Sequence, residues 1–233
     1  MQYMCKKVVC FDLDDTLYKE IDVVKSAYTE IASYDKQPNL APQMLTWYLE
    51  GKNTFQQLNQ VLGIDNPITE YLEIYRQHIP KIKLSENVIN TLEELRLRYI
   101  TLGLITDGRS ISQRNKINAL GLLQWFKNEN IIISEEFGSD KTNELNFRYF
   151  MKLYPNRSYC YIGDNPQKDF KVPNLLGWQT IMLRDDGMNI HKQEPRPTEF
   201  LPKHTISRIE EILDFKTFSS ISKSLLLSMV YKL

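Results

Sequence analysis

Cysteine and histidine are both scarce, with three of each in 233 residues. Cys5, Cys10 and Cys160 are odd in number and far apart, which argues against a disulfide framework and against a zinc site built on paired thiolates. Cys10 and Cys160 each sit inside an apolar, strand-like run and read as small buried hydrophobes rather than redox groups. His78, His191 and His204 are scattered without metal-ligand spacing and read as surface or internally satisfied side chains. An excess of one charge is also missing: Lys+Arg and Asp+Glu are 29 each, for a formal net charge of zero. That balance removes the whole-chain argument for nucleic acid or an anionic membrane, and neither is expected as a partner. No run approaches the roughly 18 apolar residues that span a bilayer. The short apolar stretch after Lys6 and Lys7 is cut at Asp12, too early for a signal peptide. A soluble, cytoplasmic protein in a reducing compartment is expected. Hydrophobic residues at 42% and charged residues at 25% are ordinary globular values, and no internal repeat is visible.

What is present is a rhythm of short apolar runs separated by amphipathic segments. The runs lie at 8–11, 101–105, 131–133, 159–162 and 180–183. Their hydrophobicity is continuous rather than alternating, as in strands covered on both faces by helices. Helices are predicted at 86–99, at 112–120 with Gly121 as the stop, and at 143–154 ahead of Pro155. This order predicts an α/β fold with a doubly wound, mostly parallel sheet.

One interval breaks the rhythm. A strand–helix–strand unit takes about 30 residues or slightly more, yet the first predicted strand ends near 11 and the next begins near 101. Removing one crossover helix leaves a long stretch with helical patterns at 23–34, 42–50, 54–62 and 68–77, several of them separated by Gly51, Gly63, Pro67 and Pro80. The expected organisation is an α/β core from residues 1–18 and 85–215, with a small all-helical cap domain at 19–84. Residues 207–213 resemble a closing amphipathic helix. The tail at 216–233 is unexpectedly apolar; packing on its own domain and a dimer contact are both open for it, and the protein is expected to be a monomer or homodimer.

The chemistry concentrates at strand ends. The first strand runs directly into Asp12-Leu13-Asp14-Asp15-Thr16-Leu17. Three carboxylates in four positions repel one another and are costly to desolvate. A solvated turn is the plain alternative; a cation would resolve the repulsion, and hard carboxylate oxygens suit Mg2+. The second strand ends in Thr106-Asp107-Gly108 and the fourth in Gly163-Asp164-Asn165, with Asp169 five residues beyond Asp164. Ser139-Asp140-Lys141 follows the third strand. Ligands of open α/β sheets bind outside the carboxyl ends of the strands, where the strand order reverses.

With these residues in view, the chain resembles the haloacid dehalogenase-like (HAD) hydrolase superfamily over residues 6–213. The resemblance rests on an ordered signature: Asp12-x-Asp14-x-Thr16, then Thr106, Lys141 and Gly163-Asp164-x4-Asp169. Phe11 through Tyr18 looks typical of phosphatase-type members whose helical cap lies between the first and second motifs. Thr142 stands where the family often has proline after its lysine. The resemblance implies a Mg2+-dependent phosphohydrolase that cleaves a small phosphorylated metabolite through an aspartyl-phosphate intermediate. Asp12 would be the nucleophile and Asp14 the acid and base. Thr106 and Lys141 would bind the phosphoryl oxygens, and Asp12, Asp164 and the backbone carbonyl of Asp14 would hold the metal. Asp169 would orient Lys141 or the metal's waters. An acid at Asp14 disfavours dehalogenation, because a departing halide needs no proton. A phosphomutase on the same core, and a non-catalytic module that retains the fold, remain open at this point.

Other residues carry weaker expectations. Asp107 and Asn165 are loop neighbours of the site, and Asp15 is expected to point to solvent. Arg109, Arg114 and Lys116 read as a solvated basic helix face. Trp47, Tyr48, Phe55 and Tyr71 read as packing inside the helical insertion, with an aromatic lid as the alternative.

Overall fold

In the computed structural model, which describes residues 7–215, strand β1 (Lys7–Phe11) lies at the middle of a six-stranded parallel sheet. Its partners are β2 (Thr101–Thr106) on one side and β4 (Ser158–Gly163) on the other. Outward from these lie β3 (Ile131–Ile133), β5 (Gln179–Leu183) and the edge strand β6 (His204–Ile206), giving the order β3-β2-β1-β4-β5-β6. The chain winds outward from β1 through β2 to β3 and then starts again at β4, so the order reverses at β1. Continuous hydrophobicity has the expected cause: Val8, Cys10, Ile132 and Tyr161 face one core, while Val9, Phe11, Leu104 and Ile162 face the other.

Helices α5 (Glu86–Leu97) and α6 (Ser110–Ala119) cover the face of Val9 and Phe11. The short α7 (Ser134–Phe137) follows β3 directly. Helices α8 (Leu145–Leu153) and α9 (Lys171–Leu175) cover the opposite face, with Phe147, Phe150 and Val172 packed beside Trp178. The approach of α8 depends on Gly103, where a Cβ would meet the Phe150 ring at 2.5 Å and Cys10 Sγ at 2.7 Å. Ser85 caps α5 by accepting from Val88 N, and Gly121 closes α6 in the left-handed region at φ 63°.

Between β1 and α5 stand α1 (Glu20–Tyr34), α2 (Ala41–Leu49), α3 (Thr54–Leu62) and α4 (Ile68–Gln77). They enclose a separate core around Ile31, Met44, Leu58 and Tyr71, and Trp47 is buried there as packing rather than as a lid. Tyr71 OH donates to Asp35 at 2.8 Å, giving this small core a satisfied polar anchor.

Two elements differ from expectation. β6 has no counterpart among the predicted strands, because only Ile206 of its three residues is buried. The expected helix at 207–213 is a 3-10 helix, Ile209–Asp214, which presses Ile209 and Ile212 into the sheet core. No helix among the described residues is long and apolar enough to cross a membrane. Cys10 and Cys160 are free and buried. Cys5 and the apolar tail at 216–233 lie outside the described residues.

Candidate active site

Every strand that borders the reversal point ends in a polar side chain aimed at one cavity of about 90 Å³. Asp12 N still donates to Ile162 O at 2.8 Å, so the β1–β4 ladder continues one residue further and holds the Asp12 carboxyl on the seam between the two strands. Lys141 Nζ lies 2.9 Å from Asp12 Oδ1 and 2.7 Å from Asp169 Oδ1, with all three side chains almost wholly buried. The other Asp169 oxygen accepts from Asp164 N at 3.1 Å and Asn165 N at 2.8 Å, so Asp169 shapes the loop after β4 as well as holding the lysine. Gly163 makes this possible, since a Cβ there would collide with the Asp169 carboxylate. Asn165 lines the cavity, and its Oδ1 accepts from Gln167 N at 3.0 Å in the turn after β4.

Asp12, Asp164 and Asp169 each offer an oxygen within 4.8 Å of the others. Asp169 already has Lys141 and two N–H groups; Asp12 and Asp164 have fewer partners. Burial, with repulsion from Asp12 and Asp169, pushes the Asp164 carboxyl up to about 9. Burial likewise pushes Asp12 up to about 7, against the pull of Lys141. Two carboxylates that cannot both ionise cheaply, with hard oxygens this close, fit a small divalent cation.

Asp14 lines the same cavity and is held by α6 and Tyr18. It accepts from Lys116 Nζ at 2.8 Å, from Gln113 Nε2 at 3.0 Å and from Tyr18 OH. Burial raises its pKa, but Lys116 and these hydrogen bonds outweigh burial and hold it below the ordinary value. Glu20, at the start of α1, lies 3.7 Å from Lys116 and also lines the cavity. Burial and the Asp14 charge push its carboxyl up to about 8. Thr106 Oγ1 accepts from Gln113 Nε2, leaving its own hydrogen free for a ligand oxygen. Asp107 Oδ1 accepts from Lys141 N, while its Oδ2 is buried without a hydrogen bond and faces Lys168 at 3.7 Å.

Two expectations need correction. Asp15 is 2% exposed, not solvated: its backbone takes a left-handed turn at φ 54°, and its carboxylate accepts from Glu20 N and Ile190 N, both at 2.9 Å. Lys116 is not on a solvated face either. It is 7% exposed, because α6 turns that side toward Asp14 while Arg114 faces out to Glu136. His191 is exposed but lines the cavity mouth. Sequence reasoning missed Gln113 and Lys116, whose i, i+3 spacing was the available signal, and Asn189, whose Nδ2 donates to Asp164 at 3.0 Å.

The family model described as haloacid dehalogenase-like hydrolase matches residues 9–183. A glyceraldehyde 3-phosphate phosphatase of Methanocaldococcus jannaschii is 30% identical over 225 residues, covering 89% of this chain and 96% of the relative. A phosphoserine phosphatase of Thermus thermophilus is 32% identical over 109 residues, covering 46% and 42%. Among solved structures, the magnesium-bound HAD-hydrolase YfnB of Bacillus subtilis shares the fold at a TM-score of 0.64 and 21% identity, covering 91% of this chain and 98% of that one.

Proposed function

The chain belongs to the haloacid dehalogenase-like hydrolases, and from that membership we propose that it is a Mg2+-dependent phosphatase of a small phosphorylated metabolite. The observation that carries this reading is the meeting of Asp12, Lys141, Asp164 and Thr106 at the reversal point of the sheet. Asp12 attacks the phosphorus, and the bond from phosphorus to the ester oxygen breaks. Asp14 gives its proton to the departing alkoxide, leaving an aspartyl-phosphate on Asp12. Asp14 then takes a proton from water as that water attacks the phosphorus, which frees the Asp12 carboxylate and inorganic phosphate. Lys116 keeps Asp14 ionised before substrate arrives; the negative charge of the phosphate works against Lys116 and favours the protonated acid.

Lys141 and the free Thr106 hydroxyl bind phosphoryl oxygens, and Lys141 is itself steered by Asp169. Asp12, Asp164 and the Asp14 backbone carbonyl would hold Mg2+. The ion supplies the positive charge that lets an anionic nucleophile and an anionic phosphate share one cavity. Helices α1–α4 act as the cap, with Glu20 bringing the first of them to the cavity wall. The small cavity supports a substrate of few carbons, and the names of the two curated relatives make glyceraldehyde 3-phosphate and phosphoserine the first esters to test.

The test is release of inorganic phosphate from p-nitrophenyl phosphate, and then from those esters, with and without Mg2+. Wild type turns over only with the metal, and Asp12→Asn loses at least about a thousandfold in rate. Equal rates for the two proteins would remove Asp12 as nucleophile and this reading with it.

A further inference from the structure

The segment between β5 and β6 does more than connect two strands. Asn189 Nδ2 donates to Asp164 Oδ2 at 3.0 Å, while Asn189 Oδ1 accepts from Lys19 Nζ at 2.8 Å. These two contacts fix the amide: turned the other way, its NH2 would face the ammonium and its carbonyl would face the carboxylate. Lys19 also pairs with Asp186 at 2.8 Å and is the residue immediately before α1. The next residue, Ile190, packs its side chain on the core of α1–α4 and donates its N–H to Asp15. The segment is braced from within, with Asp185 Oδ1 accepting from Asn189 N and Gln193 Nε2 donating to Asp164 O. One short stretch of chain therefore grips the Asp164 carboxylate, the Asp14-Asp15 loop and the helical bundle together.

We propose that Asn189 is a positioning residue for cation binding and that residues 185–190 form a strap coupling the seat of the helical bundle to the Asp164 carboxylate. The inference rests on the proposed reading of Asp164 as a metal ligand. A neutral amide suits the task. It fixes one oxygen of Asp164 and leaves the other facing the Asp12 cluster, without cancelling the negative charge that a cation needs; a lysine there would cancel it. Lys19 carries the coupling, because any shift of α1 moves the partner that orients the Asn189 amide.

The experiment is calorimetric titration of the full metal-free chain with Mg2+ alone, comparing wild type, Asn189→Ala and Lys19→Met. Asn189→Ala is expected to weaken Mg2+ about tenfold or more, and Lys19→Met, which touches no proposed ligand, several-fold in the same direction. Saturable wild-type binding with both variants within about twofold of it would overturn the strap while leaving the phosphatase reading intact. No saturable binding by wild type would overturn both. If Asn189→Ala is poorly folded, Lys19→Met carries the test alone, and an unchanged affinity there refutes the coupling.

Discussion

Replacing Lys116 by methionine keeps a long unbranched stem in the α6 face and removes only the charge, so the loss reads the electrostatics of Asp14. Lys116 Nζ lies 2.8 Å from Asp14 and 3.7 Å from Glu20, with 9% of its side chain exposed. At 2.8 Å and an effective dielectric constant of about 20, the attraction to Asp14 is about 6 kcal/mol, much of it offset by desolvation. Removing one partner of a buried pair costs about 3–5 kcal/mol, because the remaining charge is stranded. Glu20, pushed up to about 8, takes up a proton at pH 7 and lightens the strain, so the lower end of that range applies. The sign with pH follows from Asp14. In wild type its pKa is depressed, so its contribution is present above the unfolded value and is lost only as pH falls through the lower folded value. In the variant, burial is opposed only by the Tyr18 and Gln113 hydrogen bonds and the folded pKa rises; the cost is largest at pH 7 and is relieved as pH falls toward the unfolded value. The gap between the two proteins is therefore widest near neutrality and narrows toward pH 4. Urea unfolding in EDTA, followed by tryptophan fluorescence at pH 7 and pH 4, measures it. A gap below about 1 kcal/mol at pH 7, or an equal gap at both values, refutes the assignment of Lys116 as the counter-charge of Asp14.

Mg2+ at a hundredfold excess over its dissociation constant should stabilise the folded chain by about 2.7 kcal/mol, raising the melting temperature by about 5–10 °C over the EDTA value. An unchanged melting temperature at millimolar Mg2+ would contradict a cation between Asp12 and Asp164. Glu20→Gln should stabilise the metal-free protein by about 1–3 kcal/mol at pH 7, since a raised carboxyl pKa costs stability above the unfolded value. That gain should vanish at pH 4, where Glu20 is already protonated in both states; a gain that persists in urea titrations at pH 4 would mean packing rather than charge is responsible. Gly103→Ala should cost about 1–3 kcal/mol through the Phe150 and Cys10 contacts, seen as a lower melting temperature. A melting temperature equal to wild type would show that α8 can retreat from the sheet freely.

The parts of this molecule that were legible in its sequence share a cause. Strands β1 to β5 lie between two layers, so their burial is written into consecutive apolar letters such as Val8, Val9, Cys10 and Phe11. β6 lies at the edge with only Ile206 buried, and a single apolar letter in His204-Thr205-Ile206 has no period to detect. The polar residues at the strand ends were legible for the same reason as the strands: Asp12, Thr106 and Asp164 stand one residue after, or at the end of, a run that announces itself. Lys141 was legible too, but the partners of Asp14 and Asp164 were not. Lys116 reaches Asp14 across 102 positions and Asn189 reaches Asp164 across 25, from a helix face and a loop whose orientation is set by packing alone. Asp15 looked like a solvated turn residue because its two partners, Glu20 N and Ile190 N, are backbone groups that any sequence would supply.

That asymmetry marks where a cation would fit. Pairing the acids with what the fold brings to them gives Lys116 to Asp14, Lys141 jointly to Asp12 and Asp169, Lys168 to Asp107, and backbone N–H groups to Asp15. Among the described residues the Asp164 carboxylate receives only the neutral amide of Asn189, and Asp12 shares its lysine with Asp169. The uncompensated charge thus falls on Asp12 and Asp164, which line one cavity with Thr106. A divalent ion there would balance those two charges, whereas a further lysine would leave one of them uncompensated.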